Sequence, residues 1–229
     1  MSTLRPRILV VDDEPAIRRL LRTGLATQDF DIGEAADGTA ALAAFDGKPD
    51  LVILDLGLPG LNGLDLLRLI RERGDSTPVI ILSSREDEAG KVRAFDLGAD
   101  DYVTKPFGMN ELIARVRAAL RHALQAEGEK PVFHADGLSV DLVRRIVKLD
   151  GADVKLSPKE YELLRALVQH AGKVLTHAFL LRTVWGATTD PQHLRVFIRQ
   201  LRGKIERTPE QPSFIVTELG VGYRLRAPD

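Results

Sequence analysis

Cysteine is absent from the 229-residue chain, which excludes disulfide bonds and metal sites built on thiolates. No stretch approaches the roughly 20 consecutive apolar residues that a membrane-spanning helix needs. The N-terminus leads from Met1 through a short apolar run directly into acidic residues, which is not the pattern of a signal peptide. We therefore expect a protein of the reducing cytoplasm that has no membrane partner.

Aromatic residues are also scarce, at 5%, but 44% hydrophobic and 28% charged residues are typical of a globular chain. The length suits two ordinary domains or one large domain. Residues 1–130 contain 17 basic and 22 acidic side chains, whereas residues 131–229 contain 15 and 11. The basic second part favours a polyanionic partner, although a charge difference of this size is common between domains.

Short apolar runs alternate with helix-period stretches through the first part of the chain. The runs predict buried strands at 7–11, 31–35, 50–55, 79–82 and 102–104. Strands that alternate with helices indicate an α/β domain, with a doubly wound parallel five-stranded sheet covered by helices on both faces.

The second part of the chain has a different pattern. Residues 132–155 read as short alternating strands, and Ser157 followed by Pro158 predicts a helix start. Further helices are expected at 176–185 and 190–206, and a terminal β-hairpin turns at 220–222. This order predicts an α+β winged helix-turn-helix. We place the domains at 1–122 and 131–229, joined by a polar linker at 123–130.

Polar side chains stand at the ends of four predicted strands: Asp12 with Asp13, then Asp55, Ser83 and Lys105. Parallel strands end at one edge of the sheet, so these groups are expected to share a pocket. Three close carboxylates call for a divalent cation, and their oxygens favour Mg²⁺ or Mn²⁺. A carboxylate beside such an ion can attack phosphorus and form an acyl phosphate. The serine and lysine would then hold the phosphoryl oxygens.

Parts of this pattern also occur in two kinds of site with different roles. A pair of aspartates after a strand is often only a helix N-cap. A haloacid-dehalogenase-type phosphatase also uses a strand-end aspartate, but it normally carries a second aspartate two residues later, where this chain has Gly57. The coincidence at four strand ends favours a phosphoacceptor site over both.

The set Asp12-Asp13, Asp55, Ser83 and Lys105-Pro106 resembles the receiver domain of bacterial response regulators. The second part resembles the DNA-binding domain of the OmpR/PhoB subfamily, through motifs at 156–164, 172–176 and 220–224. Motifs at 16–19, 55–59, 184–186 and 194–195 are most similar to the subfamily's regulators of potassium uptake. The resemblance implies a transcription regulator, not an enzyme, with a sensor histidine kinase, double-stranded DNA and RNA polymerase as partners.

The resemblance also implies a role for each site residue. Asp55 accepts the phosphoryl group, Lys105 contacts its oxygens, and a cis bond precedes Pro106. Ser83 and Tyr102 act as the switch. The Mg²⁺ site is formed by the residues Asp12 (through water), Asp13, Asp55 and Gly57 (through its carbonyl).

Receivers of this subfamily form homodimers when phosphorylated, through the fourth helix, fifth strand and fifth helix. The implied ion pairs are Lys91 with Glu111 and Asp101 with Arg115. Asp100 would meet a basic residue near the end of the fifth helix, where the matching position is His122, with Arg121 beside it. The implied apolar patch comprises Val92, Phe95 and Ala114. A simpler role for these charges is solvation of the helix surface, since each exposed pair contributes roughly 0–1 kcal/mol.

In the 190–206 helix, one face is expected to be buried: Leu194, Ile198, Leu201 and Ile205. Arg195, Arg199 and Arg202 repeat on the neighbouring face and suit the major groove of DNA. Gln200 is a candidate base reader. Family analogy adds Trp185, Thr217 and Tyr223 as phosphate contacts, and packing is an equal alternative for each of them. The alternatives are a solvated charged face and a module that acts only through protein contacts.

Overall fold

The computed structural model describes residues 5–84, 88–126, 128, 130–186 and 191–227. They form two compact units, one spanning Arg5–Gly128 and one formed by the residues that follow. Within the described ranges, no helix combines the length and the apolar character needed to span a membrane.

The first unit is a five-stranded parallel sheet in the order β2-β1-β3-β4-β5, which confirms the predicted α/β fold. The strands are β1 (Arg7–Val11), β2 (Asp31–Ala35), β3 (Leu51–Leu54), β4 (Val79–Ser83) and β5 (Asp101–Thr104). The helices are α1 (Pro15–Ala26), α2 (Gly38–Ala44), α3 (Gly63–Glu72), α4 (Glu88–Asp96) and α5 (Met109–Ala126). The strand order reverses direction between β1 and β3, and ligands of such sheets bind at that point, beyond the carboxyl ends.

The three central strands are almost continuously apolar because helices cover the sheet on both sides. The helix starts follow local chemistry. Pro15 opens α1, while the side chains of Asp37 and Asn62 accept hydrogen bonds from backbone amides in the first turns of α2 and α3.

Helix α5 is longer than the sequence predicts. It runs to Ala126, so the first four residues of the expected 123–130 linker are helical. These residues, Ala-Leu-Gln-Ala, are good helix formers, which outweighs their polar context. Gly128 follows with a positive φ of 77°, typical of the end of a helix. Residues 127 and 129 lie outside the described residues.

The second unit has the predicted winged-helix architecture. A four-stranded antiparallel sheet contains β6 (Val132–Ala135), β7 (Leu138–Asp141), β8 (Ile146–Leu149) and β9 (Ala152–Asp153). Helices α6 (Pro158–Gln169), α7 (His177–Trp185) and α8 (Pro191–Ile205) follow, with residue 190 outside the described ranges. A second sheet, in the order β10-β12-β11, joins β10 (Leu175–Thr176), β11 (Ile215–Glu218) and β12 (Gly222–Leu225).

The apolar face of α8 is buried as predicted, with all four residues at most 1% exposed: Leu194, Ile198, Leu201 and Ile205. Helix α8 packs with this face against α6 and α7, so its other side is turned outward. The buried carboxylate of Glu206, just after α8, accepts hydrogen bonds from the amides of Ser213, Phe214 and Ile215. The terminal hairpin is thereby tied to the end of α8.

Candidate phosphorylation site and DNA interface

Backbone hydrogen bonds bring the predicted site residues side by side at the carboxyl edge of the parallel sheet. The amide of Asp55 donates to the carbonyl of Val11 at 2.8 Å, and that of Lys105 donates to the carbonyl of Ser83 at 2.8 Å. The first bond continues the pairing of β3 with β1, and the second continues the pairing of β5 with β4. The side chains of Asp12, Asp55 and Lys105 consequently meet.

Lys105 bridges two buried carboxylates. Its Nζ lies 2.8 Å from Oδ2 of Asp12 and 3.0 Å from Oδ1 of Asp55, which are residues only 1% and 6% exposed. Burial raises the pKa of Asp12, although the hydrogen bond from Lys105 opposes this effect. Burial alone would lower the pKa of Lys105, but its bonds to both aspartates raise it. The ammonium group therefore stays charged between them.

Two glycines hold the Asp55 segment in place. The amide of Gly57 donates to Oδ2 of Asp55 at 2.6 Å, so both carboxylate oxygens of Asp55 have partners. At Gly63, a Cβ atom would lie 2.3 Å from the carbonyl oxygen of Asp55, so only glycine lets α3 begin this close. Sequence reasoning missed Gly63, because a glycine at a helix start has no distinctive pattern.

The donors around this edge fit a hard divalent cation in chemistry. They are the carboxylates of Asp12, Asp13 and Asp55 and the carbonyl of Gly57, and Glu14 adds an acid 3.5 Å from Lys105 Nζ that the sequence did not single out. Among the described residues, no three acidic or histidine side chains already converge on one point. Lys105 already pairs with two of these carboxylates, those of Asp12 and Asp55.

The two predicted switch residues both face the interior. Ser83 is the last residue of β4 and is 1% exposed. Tyr102 lies in β5 opposite Ile81, and its ring belongs to the buried core. The ammonium of Lys91, in α4, lies 5.7 Å from the centre of the Tyr102 ring. The Tyr102 side chain is therefore buried among the core residues.

The predicted dimer patch is exposed. Val92 is 50% and Phe95 42% exposed, and Ala114 lies on the exposed side of α5. Helix α4 buries only Ala94 among its residues, so most of its surface is free to meet another molecule.

The charged residues of this face form bonds within the chain. Arg115 contacts both Asp101 at 2.9 Å and Glu111 at 2.8 Å, and these bonds raise the pKa of its guanidinium. Asp100 accepts bonds from Arg71 at 3.1 Å and from the Val79 amide at 2.8 Å. Arg71 was missed in the sequence because it lies far from Asp100 along the chain. The pairs expected of Lys91 and Asp100 are contacts between subunits, and they stay predictions.

On α8, the three arginines of the predicted stripe differ in their exposure to solvent. Arg195, Arg199 and the neighbouring Gln200 are exposed. Arg202 instead turns toward the hairpin: its guanidinium donates to the carbonyl of Ile215 at 3.1 and 2.5 Å and to Oγ1 of Thr217 at 2.8 Å. Burial lowers the pKa of Arg202. Arg202 thus braces the hairpin of β11 and β12, the wing of this unit, against α8.

The other predicted DNA contacts lie around this brace. Thr217 is exposed and paired with the buried Tyr223 across the hairpin, and Arg202 lies 5.8 Å from the centre of the tyrosine ring. Trp185 packs edge-on against Phe197, with ring centres 5.2 Å apart, and so links α7 to α8. The structure thus gives Tyr223 and Trp185 packing partners within the chain.

Comparisons with known proteins match both units. The family model "Response regulator receiver domain" matches residues 8–117, and "Transcriptional regulatory protein, C terminal" matches residues 151–225. The transcriptional regulatory protein KdpE of Mycobacterium tuberculosis is 47% identical, covering 96% of this chain and 99% of its own. The alkaline phosphatase synthesis regulator SphR of Synechococcus elongatus is 42% identical, covering 96% and 90%. The solved receiver domain of the Francisella response regulator 1452 is 35% identical, with a TM-score of 0.50, covering 52% of this chain and 99% of that one. The chain therefore belongs to the two-component response regulators that join a receiver domain to an OmpR/PhoB-type DNA-binding domain and regulate transcription.

Proposed function

We propose that a sensor histidine kinase phosphorylates Asp55, and that the phosphorylated chain dimerises and binds specific DNA sequences in the cytoplasm. The observation that carries this proposal is the Asp55 carboxylate itself, which is 6% exposed and held by the Lys105 ammonium and the Gly57 amide. A carboxylate fixed in this way can attack the phosphorus of a phosphohistidine. A new P–O bond forms as the P–N bond breaks, and the imidazole leaves with a proton.

Charge decides the roles of the surrounding residues. The carboxylates of Asp12, Asp13 and Asp55 and the carbonyl of Gly57 would hold Mg²⁺, which when bound neutralises the phosphoryl and carboxylate oxygens. Lys105, freed from its bond with Asp55, would pair with a phosphoryl oxygen. The Ser83 hydroxyl, next to Lys105 along the sheet edge, would donate to another.

Dimerisation through α4, β5 and α5 would transmit the signal. The exposed Val92 and Phe95 supply an apolar contact. Arg115 now bonds to Asp101 and Glu111 in its own chain, and it can exchange these carboxylates for those of a second copy. Phosphorylation would favour the inward state of Ser83 and Tyr102 and so shift the population toward the dimer.

The second unit would read duplex DNA through α8. Arg195, Arg199 and Gln200 reach outward and can contact base edges and phosphates in the major groove. Of the remaining predicted contacts, the exposed Thr217 would face the sugar–phosphate backbone, and Tyr223 and Trp185 would support this surface through their packing partners. A dimer bound at a promoter would then act on RNA polymerase.

We infer that the target genes include a potassium-uptake operon, because KdpE of M. tuberculosis is 47% identical over nearly the whole chain. The alkaline phosphatase synthesis regulator SphR, at 42% identity, supports a different target, genes of alkaline phosphatase synthesis. Selection of bound fragments from host genomic DNA distinguishes them: enrichment of potassium-transport promoters supports the first, and enrichment of alkaline phosphatase promoters supports the second.

The test of the core proposal is DNA binding by the full chain with and without Mg²⁺ and beryllofluoride, which mimics an aspartyl phosphate. Tighter binding to selected DNA is expected only when both are present. The Asp55→Ala variant should bind at the basal level in every condition. Equal stimulation of that variant, or no retardation of any DNA, would contradict the proposal.

A further inference from the structure

Arg18, in the first turns of α1, reaches back to the acidic turn between β1 and α1. Its Nη1 donates to the backbone carbonyl of Asp12 at 2.6 Å and to that of Asp13 at 3.0 Å. Its side chain is only 17% exposed. These carbonyls belong to two of the residues proposed to supply the Mg²⁺ site, but the arginine touches neither of their carboxylates in these bonds.

The arginine is itself anchored on a second element. Its Nε lies 3.7 Å from Oε2 of Glu34 in β2, and the other oxygen of Glu34 lies 3.1 Å from Nη1 of Arg22. Arg18 therefore ties the acidic turn to both α1 and β2. Arg22 shares the glutamate but has no bond to the turn among the described contacts, which makes it a matched control.

A restraint on this turn acts on Asp13, which is exposed and lies just beyond the end of β1. Its carboxylate direction depends on the backbone of Asp12 and Asp13. Two N–H groups of one planar guanidinium can hold two carbonyls in a set geometry, which a lysine ammonium on a flexible stem does less well.

We propose that Arg18 is a positioning residue that pre-orders the Asp12–Asp13 turn for Mg²⁺. This inference rests on the proposed function, because it assumes that the ion binds at this edge. Two effects of Arg18 oppose each other: its positive charge repels Mg²⁺, whereas the ordered turn favours the ion. Residues that hold the ligands of a metal typically change affinity by roughly 10–100-fold, so we expect ordering to win.

The experiment is calorimetric titration of the full-length chain with MgCl₂. Arg18→Ala should raise the dissociation constant for Mg²⁺ about 10-fold. Arg22→Ala removes a cation and a Glu34 partner but no bond to the turn. The dissociation constant of this variant for Mg²⁺ should be unchanged or slightly lower. Arg18→Lys should recover part of the affinity. Amide exchange at residues 12–14 should be faster in Arg18→Ala without the ion.

Wild-type affinity in a folded Arg18→Ala chain, judged by an unchanged circular dichroism spectrum, would overturn the positioning role. A loss of equal size in Arg22→Ala would also overturn it, because the charge network with Glu34 would then be responsible. If the wild-type chain fails to bind Mg²⁺ at all, the proposed function fails as well, so the two failures are distinguishable.

Discussion

Replacing Arg202 by alanine should destabilise the DNA-binding unit, whether or not DNA is present. Its guanidinium makes three hydrogen bonds to β11, two of them to the carbonyl of Ile215. Hydrogen bonds from a charged group contribute about 1.5–3 kcal/mol, and truncation leaves the Ile215 carbonyl without these donors. We expect a loss of about 2 kcal/mol in the free energy of unfolding of this unit.

Arg199→Ala is the matched control, since Arg199 is the exposed arginine one turn earlier on α8. A surface substitution of this kind should change stability by less than about 0.5 kcal/mol. If Arg199 contacts a phosphate, its loss should lower the slope of log affinity against log salt by about 1. The two variants should thus separate stability from phosphate contact.

Urea unfolding followed by tryptophan fluorescence measures the first effect. The chain has one tryptophan, Trp185, which packs against Phe197 between α7 and α8 and so reports on the second unit alone. The midpoint for Arg202→Ala should fall by about 1 M urea, given slopes of about 1–3 kcal/mol per molar for small domains. An unchanged midpoint would contradict the structural role of Arg202 in holding β11. If the salt slope also fell as much as in Arg199→Ala, Arg202 would be a phosphate contact instead.

Two further variants test the buried charges. Lys105→Ala should destabilise the first unit by about 3 kcal/mol without Mg²⁺, because Asp12 and Asp55 lose their cation. Added Mg²⁺ should recover much of this loss. Urea unfolding followed by circular dichroism measures both effects, and an unchanged midpoint would contradict the bridging role of Lys105. Burial raises the pKa of Glu160, but bonds from Lys204 and Ser157 outweigh it and hold the pKa below the usual value of about 4.5. The charged carboxylate therefore contributes stability above pH 4.5, which is lost as the pH falls through its lower folded value. Glu160→Gln should flatten this acid loss in Trp185 fluorescence; an equally steep loss in the variant would show that other groups cause it.

Much of the candidate site follows from the sequence because strand periodicity and strand ends are local signals. Once five apolar runs are read as parallel strands, Asp12, Asp55 and Lys105 must meet at one edge. The buried face of α8 is predictable for the same reason, since spacing along one helix sets which side chains share a face.

The remaining features depend on contacts between distant segments. Helical spacing places Arg202 near Arg199, but it does not reveal that β11 passes close enough to accept hydrogen bonds from Arg202. The bond from Arg71 to Asp100 has the same origin, because the two residues are 29 positions apart. Strand β10 has only two residues, too few for any periodicity, and it is defined by its pairing with β12.

The most direct test of the central claim is the molar mass of the full-length chain by light scattering, with and without beryllofluoride and Mg²⁺. We expect a shift from monomer toward dimer that needs both additions and is lost in Asp55→Ala. A mass that does not respond, or that responds equally in Asp55→Ala, would contradict the claim that phosphorylation of Asp55 controls assembly.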